Sequence, residues 1–342
     1  MLRRVTVVPE SAVPRVQSSR VPASPDRSRR TMWIAAVVGI PASAVFLFLA
    51  IRGADLGLVW QTLQNVRWGP VAVAVGCMGV VYWLQANRWK RIAATRATQF
   101  QFVEMVVAGV AVNNVLPGRI GDFLRARWVS RGAYSGGRGL ATVVIDRIFD
   151  LIVLAFFLIA TLPLVTDERW VDRIVVGSVL LLLVVGIGIV AARAYTRRRP
   201  RARRKHRSLA RRFARDTLEG LSEPLGTSRL VLLTLSVGAW LVWAVAAILV
   251  ARAVGVELTL VEAIFVTGAI NLGVAIPSSP GFVGTYQWLG VSALALFGVS
   301  KEAGLAFAIT MQAVWWVPTT LVGAVFLVLR YSSPRGRSIS PS

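Results

Sequence analysis

Charged and amide side chains recur within one stretch, residues 113–150, that apolar runs flank on both sides. Arginine is the side chain best suited to bind a phosphate, because its planar N–H donors match two phosphate oxygens. Hydrocarbon penalises such groups unless protein or trapped water satisfies them. The stretch therefore indicates a polar substrate-binding site inside a membrane, and its candidate residues are Asn113, Asn114, Arg119, Asp122, Arg125, Asp146, Arg147 and Asp150.

Three of these candidates lie close together on one predicted helix. Asp146 and Asp150 are four residues apart and so share a helix face, and Arg147 lies beside them, able to pair with either. A charge cluster within a span costs several kcal/mol unless it is paired. We interpret the three residues either as a buried structural triad or as part of a polar pathway.

The other charged candidates begin at a Pro-Gly break. Asp122 can pair with Arg119 or Arg125, which lie three residues to either side of it on the same helix. Either arginine could instead mark the cytoplasmic interface. Arg119, at the break itself, is the best candidate for a two-point contact with a lipid phosphate. Asn113 and Asn114 either bind a polar headgroup or satisfy the backbone of broken helix ends.

The composition places the chain in a membrane. It has 342 residues, 55% of them hydrophobic, with a mean hydropathy of +0.63. Apolar runs of about twenty residues, the length that crosses hydrocarbon, recur along it. The net charge of +23 could suggest nucleic acid, but most arginines lie beside apolar runs, which favours anionic lipid headgroups. Cys77 and His206 are the single cysteine and histidine, which excludes a Cys-based metal cluster. We expect no metal, no cofactor and no nucleic-acid partner.

We predict an all-α polytopic membrane protein with six full transmembrane helices and two re-entrant helical hairpins. An interfacial helix is predicted within residues 52–67. Residues 1–31 are predicted to be a disordered basic tail, 193–228 a basic cytoplasmic loop with an amphipathic stretch, and 331–342 a second tail. The six spans are predicted at about residues 32–51, 68–86, 140–162, 174–192, 230–250 and 303–329.

The two predicted hairpins, at residues 100–131 and 261–298, share a Pro-Gly-x-x-Gly break. Each break follows an apolar segment that contains asparagine (Asn271 in the second) and precedes a helix, on which Tyr286 and Gln287 are further candidates. Three full spans separate the hairpins, so they enter from opposite faces, as in an inverted repeat with halves 32–162 and 171–330. The residues that break the helices, and whose glycines could expose backbone N–H groups to an anion, are Pro117, Gly118, Gly121, Pro277, Pro280, Gly281 and Gly284.

The positions of the basic residues predict the orientation. Most of the 39 lysines and arginines lie in residues 1–31, 88–96, 119–138 and 193–229 or after the last span. This imbalance predicts a multi-pass protein of the cell inner (plasma) membrane with both termini in the cytoplasm.

The strings NNVLPGRIGDFLR, IDRIFD and IPSSPGFVG resemble the flippase-like transmembrane domain of bacterial lysylphosphatidylglycerol synthases. The resemblance covers about residues 32–330. It implies lipid translocation or binding without lipid aminoacylation, since the soluble aminoacyl-transfer domain has no counterpart here. The family usually has Glu where Asp122 and Asp146 stand, and often a Glu where Gln287 stands.

These features predict a lipid flippase or lipid-linked substrate transporter that is not an enzyme. Its expected partners are membrane lipids, either anionic phospholipids or polyprenyl-phosphate-type lipids. The sequence contains no Gly-x-x-x-x-Gly-Lys-Ser/Thr motif, so an ion or lipid gradient would supply the energy. The alternatives are a lipid-binding scaffold for a separately encoded transferase and an intramembrane enzyme acting on lipid phosphate. A homo-oligomer is left open.

Overall fold

The computed structural model describes residues 41–116, 119–130, 135–165, 209–222, 227–274 and 280–332, together with a few single positions between 177 and 194. Every element among these residues is a helix, which confirms the predicted all-α class. The predicted N-terminal tail, the fourth span at 174–192 and most of the basic loop and second tail lie outside the described residues.

Eleven α-helices are described, and the apolar runs and Pro-Gly breaks of the sequence set their limits. A short 3₁₀ turn, Pro280–Phe282, precedes α10. The helices are α1 (Pro41–Ile51), α2 (Leu56–Gln64), α3 (Trp68–Ala93), α4 (Gln99–Val115), α5 (Ile120–Ser130), α6 (Gly136–Val165), α7 (Leu209–Ser222), α8 (Arg229–Ala253), α9 (Leu260–Gly273), α10 (Thr285–Ala295) and α11 (Lys301–Ser332).

Three of the described helices, α3, α8 and α11, are long and apolar enough to cross a membrane. The pair α1 and α2 would make a fourth if it is one broken span, and its helices meet at 87°. Asp55 caps α2 by accepting the N–H groups of Gly57 and Leu58. The right angle fits the predicted interfacial helix, whereas the number of full spans stays a prediction.

Two antiparallel helix pairs form the frame of the described structure. At one end of the first pair, Arg67 N–H at the start of α3 donates to the carbonyl of Ala253 at the end of α8 (3.0 Å). In the second pair, Arg330 near the end of α11 reaches Glu104 near the start of α4 (3.1 Å). The core between the helices is apolar and close-packed, with residues such as Trp89 fully buried.

The helices α4 and α5 form the first hairpin, and α9 and α10 form the second. Each begins with a capping box, in which a threonine and the Gln or Glu three residues later exchange hydrogen bonds with each other's backbone N–H. In the first hairpin the arms touch at Gly109 and Gly121, where an added Cβ on Gly121 would lie 1.9 Å from the Gly109 carbonyl oxygen. Only glycine at position 121 permits this approach of the two backbones.

The two hairpins start at opposite ends of α3, and their tips meet. The first follows the C-terminal end of α3 directly, whereas the second follows the end of α8, which is bonded to the start of α3. At the tips, Arg119 Nη2 lies 3.5 Å from the Val274 carbonyl oxygen. The carbonyl oxygen of Asn114 lies 3.3 Å from where a Cβ on Gly281 would be. This is the arrangement that an inverted repeat requires, although the repeat itself stays a prediction.

Candidate functional site

A network of six alternating charges lies behind the hairpin tips, drawn from α3, α5 and α6. At its centre, Asp146 accepts Arg88 Nε (2.8 Å) on one oxygen and Arg125 Nη2 (3.0 Å) on the other. All three side chains are no more than 2% exposed. The Arg125 guanidinium also stacks over the Trp89 ring at 4.3 Å. Two arginines therefore hold one buried carboxylate, and an aromatic face supports one of them.

Asp150 is the second anchor of the network, one helical turn after Asp146. One of its oxygens accepts Arg88 Nη1 (2.7 Å) and the indole N–H of Trp240 (3.0 Å). Arg88 Nη1 also donates to Ser236 on α8 (2.7 Å). The predicted shared face of Asp146 and Asp150 is present, and it faces α3 and α8.

Asp122 and Arg147 form the outer edge of the network. Arg147 Nη2 donates to Asp122 (3.1 Å), and Arg147 Nη1 lies 3.5 Å from Asp150. Asp122 also lies 3.6 Å from Arg125 Nη1. Arg147 therefore pairs with Asp150, one of the two partners predicted for it, and also with Asp122, while Asp146 is held by arginines from other helices. Of the two partners considered for Asp122, the structure gives Arg125.

Arg88 belongs to the centre of this network and was missed from the sequence, where it counted as a cytoplasmic charge at the end of a span. It is 1% exposed. A signal was present, because position 88 continues the buried helical face of Val81 and Gln85 at a spacing of four and three residues. An arginine on the apolar face of a span is a reason to look for a carboxylate partner.

The network is neutral within itself and opens toward Arg119. Arg88, Arg125 and Arg147 balance Asp122, Asp146 and Asp150, so Arg119 adds one positive charge. Exposure rises along the same direction: the side chains of Arg88 and Arg125 are 1–2% exposed, Asp122 is 13% exposed, and Arg147 is 33% exposed.

Arg119 is exposed at the tip of the first hairpin, and its backbone is in the left-handed region at φ +54°. A side chain in that region costs roughly 1–2 kcal/mol relative to a right-handed conformation. Of the described residues, its side chain meets the carbonyl of Val274 on the second hairpin. A cation placed at the junction, in a backbone conformation that glycine would adopt more easily, indicates that the arginine side chain has a functional role there.

Two of the break glycines, Gly121 and Gly284, do not offer their N–H groups to an anion, contrary to the expectation from the sequence. The N–H of Gly121 donates to the Asn113 side chain (2.7 Å), and the N–H of Gly284 donates to Gln287 (2.7 Å). Gly281 and Gly284 have φ values of +68° and +89°, which favour glycine. Pro117, Gly118 and Pro277 lie outside the described residues, and Pro280 begins the 3₁₀ turn.

The amide candidates are engaged in protein contacts. Asn113 holds the start of α5, as noted above, and Asn114 donates to Thr320 on α11 (2.9 Å). Asn271 donates to the Thr267 carbonyl within its own helix (2.9 Å). The helix-end interpretation of Asn113 therefore fits the structure better than headgroup binding.

Tyr286 and Gln287 are buried beside the second break. Gln287 donates to Gln312, whose own amide donates to the Gly281 carbonyl (2.6 Å). The Tyr286 ring packs 5.9 Å from the Trp315 ring. These contacts fix the shape of the second tip, and they give Gln287 a structural role at a position where the family often has an acid.

The fold and this intramembrane charge network define a polytopic helical membrane protein. The family model described as "Lysylphosphatidylglycerol synthase TM region" matches residues 32–323, so the chain belongs to that family and has a membrane lipid-related role. A comparison with curated proteins found no match.

Proposed function

We propose that this protein is a lipid flippase or lipid-linked substrate transporter, which binds a phosphate-bearing headgroup where the two hairpin tips meet. The observation that carries the proposal is the exposed Arg119 guanidinium at this junction, beside a buried network whose own charges cancel. Arg119 therefore adds a positive charge beside the balanced network, at a place where an anion could reach it. A guanidinium can form two parallel hydrogen bonds with a phosphate.

The arrangement of the hairpins supports movement as well as binding. Broken helices that enter from opposite ends and meet in the middle are how inverted-repeat transporters build a substrate site. Among the described residues, contacts across the junction include Arg119 with the Val274 carbonyl and Gly281 with the Asn114 carbonyl. Rocking of one half against the other would expose Arg119 to each leaflet in turn, while the acyl chains stay in the bilayer.

The test is translocation of fluorescent phosphatidylglycerol in proteoliposomes, for the wild type and two Arg119 variants. Arg119→Ala and Arg119→Gly should each lower the translocation rate by at least about tenfold, the loss expected when a charged contact is removed. Arg119→Gly also removes the backbone strain at φ +54°, so a lower translocation rate in this variant cannot be attributed to a distorted fold.

The matched control is Arg252→Ala, which removes an exposed arginine at the end of α8. It should translocate lipid at the wild-type rate. Wild-type rates in both Arg119 variants would refute the proposed site. Wild-type protein that retains lipid but never moves it would favour the scaffold alternative. We propose no chemical change of the lipid, so mass spectrometry should recover the fluorescent lipid intact.

A further inference from the structure

Among the charges of the network, Arg147 is the one that the described protein holds least firmly. Its Nη2 makes one hydrogen bond, to Asp122, and its Nη1 lies 3.5 Å from Asp150, beyond good hydrogen-bonding distance for an ion pair. Its Nε is buried and has no hydrogen-bond partner among the described residues. Arg88, by comparison, donates to Asp146, Asp150 and Ser236 at 2.7–2.8 Å.

Asp122 is linked to Arg119 through its backbone and to Arg147 through its carboxylate. The backbone N–H of Asp122 donates to the carbonyl of Arg119 (3.1 Å), and its side chain accepts Arg147. With a side chain 33% exposed, Arg147 is the network arginine that an incoming group can reach. The backbone N–H groups of Gly121 and Asp122 already donate to protein oxygens, so the side chains are the groups here that we expect to recognise an anion.

We propose that Arg119 and Arg147 together form a two-arginine site for a phosphate, and that Asp122 occupies the Arg147 half of it when no ligand is bound. The inference rests on the proposed function for the identity of the ligand as a lipid headgroup. It adds a second ligand-binding residue and an internal competitor. Arg119 meets the phosphate first, and the phosphate then displaces Asp122 from Arg147.

The displaced carboxylate has a second partner at hand. Asp122 already lies 3.6 Å from Arg125 Nη1, and Arg125 Nε has no hydrogen-bond partner among the described residues. A small rotation would close that pair as the pair with Arg147 opens. The number of buried ion pairs is thereby kept, which avoids leaving an uncompensated buried charge. Reversal of the exchange would expel the phosphate and reset the site.

If Asp122 competes with the phosphate, its removal should raise phosphate affinity, whereas a merely structural role predicts a lower affinity. Asp122→Asn removes the competing charge while keeping the side-chain shape, so it should tighten phosphate binding about tenfold. It should also slow translocation, because the ligand leaves more slowly. If Asp122 served only to hold the fold together, the same variant would weaken binding. The control is Glu257→Gln, which removes an exposed carboxylate outside the network and should stay within about threefold of the wild type.

The experiment measures equilibrium binding of dihexanoylphosphatidylglycerol to the purified full chain in detergent by isothermal titration calorimetry. Inorganic phosphate is titrated in parallel. Binding of both compounds would identify the phosphate group alone as the ligand, and preference for the lipid would identify the headgroup with its glycerol. The double variant Asp122→Asn with Arg147→Gln should lose the tightening, because Asp122 acts through Arg147.

Unchanged or weaker binding in Asp122→Asn would overturn the inference. If Asp122→Asn does not purify in a folded state, Arg147→Gln tests the site instead. Arg147→Gln should weaken phosphate binding about tenfold. Wild-type affinity in this variant would refute the two-arginine site. The results can refute the transport proposal and the exchange at Arg147 independently of each other. If the wild-type protein translocates lipid but Asp122→Asn does not bind phosphate more tightly, only the exchange is refuted. If Asp122→Asn binds phosphate more tightly but the wild-type protein does not translocate lipid, only the transport is refuted.

Discussion

At the scale of single residues, the stability of the buried network depends on the pairing of every charge in it. Taking an arginine or aspartate out of water costs several kcal/mol per ion, and the ion pairs repay this only when every partner is present. Each of the two innermost carboxylates meets two arginines, and Trp240 and Ser236 take up further hydrogen-bonding capacity. Loss of one arginine therefore leaves a buried carboxylate underpaired, which is worse than having no charges at all.

Arg88 is the sharpest place to test this balance. Arg88→Met should lower the free energy of unfolding by about 3–5 kcal/mol, because it removes contacts to both Asp146 and Asp150. Thermal unfolding in detergent, followed by tryptophan fluorescence, would measure the effect. The control is Arg91→Met on the same helix, where the arginine is exposed and bonded to Asn87; its effect should stay within about 0.5 kcal/mol. Equal stability of the two variants would contradict a paired, buried Arg88.

The sequence predicts which residues belong to the charge network better than it predicts which of them pair with each other. The shared face of Asp146 and Asp150 follows from helical spacing alone. Which arginine reaches that face depends on how α3, α5 and α6 pack, and local spacing carries no such information. Arg88 was therefore taken for a charge at the membrane surface, since an arginine after an apolar run fits the interface equally well.

At the scale of elements, each hairpin depends on close approach of its two arms. In the first hairpin Gly121 lies against Gly109, and the Asn113 side chain closes the turn. The break itself was visible in the sequence, since Pro-Gly interrupts an apolar run. The capping boxes at Thr98 and Thr259 were also present in the sequence, as a Thr-x-x-Gln and a Thr-x-x-Glu pattern, and they mark the start of each hairpin.

Gly121→Ala tests the close approach of the arms. The new Cβ would lie 1.9 Å from the Gly109 carbonyl oxygen, a backbone atom that cannot rotate away. The arms must then separate, so we expect a loss of about 1–3 kcal/mol in unfolding free energy and slower lipid translocation. Gly76→Ala on α3 is the control, because nothing lies within 4 Å of its added Cβ. It should keep or raise the stability, by up to about 1 kcal/mol. A Gly121→Ala protein as stable as wild type would show that the hairpin arms are not tightly packed.

At the scale of the whole molecule, the antiparallel frame sets where the hairpins begin. The 26 residues of α3 span roughly 39 Å at 1.5 Å per residue, enough to cross the hydrocarbon core. The first hairpin starts at one end of this helix and the second at the other. Counting spans in the sequence led to the same opposite entry, although the fourth predicted span lies outside the described residues. The agreement arises because the number of membrane crossings between the two hairpins determines the side of the membrane from which each hairpin enters.

Opposite entry can be tested by accessibility of single cysteines. Cys77 is the single cysteine of the chain, so a Cys77→Ala background is free of thiols. Arg96→Cys lies just before the first hairpin and Glu257→Cys just before the second, and both positions are exposed. In sealed membrane vesicles of known orientation, a membrane-impermeant maleimide should label Arg96→Cys from the cytoplasmic side and Glu257→Cys from the other side. Labelling of both from one side would place the hairpins in the same leaflet. The tips would then share no midplane junction, and Arg119 could not be offered alternately to the two leaflets.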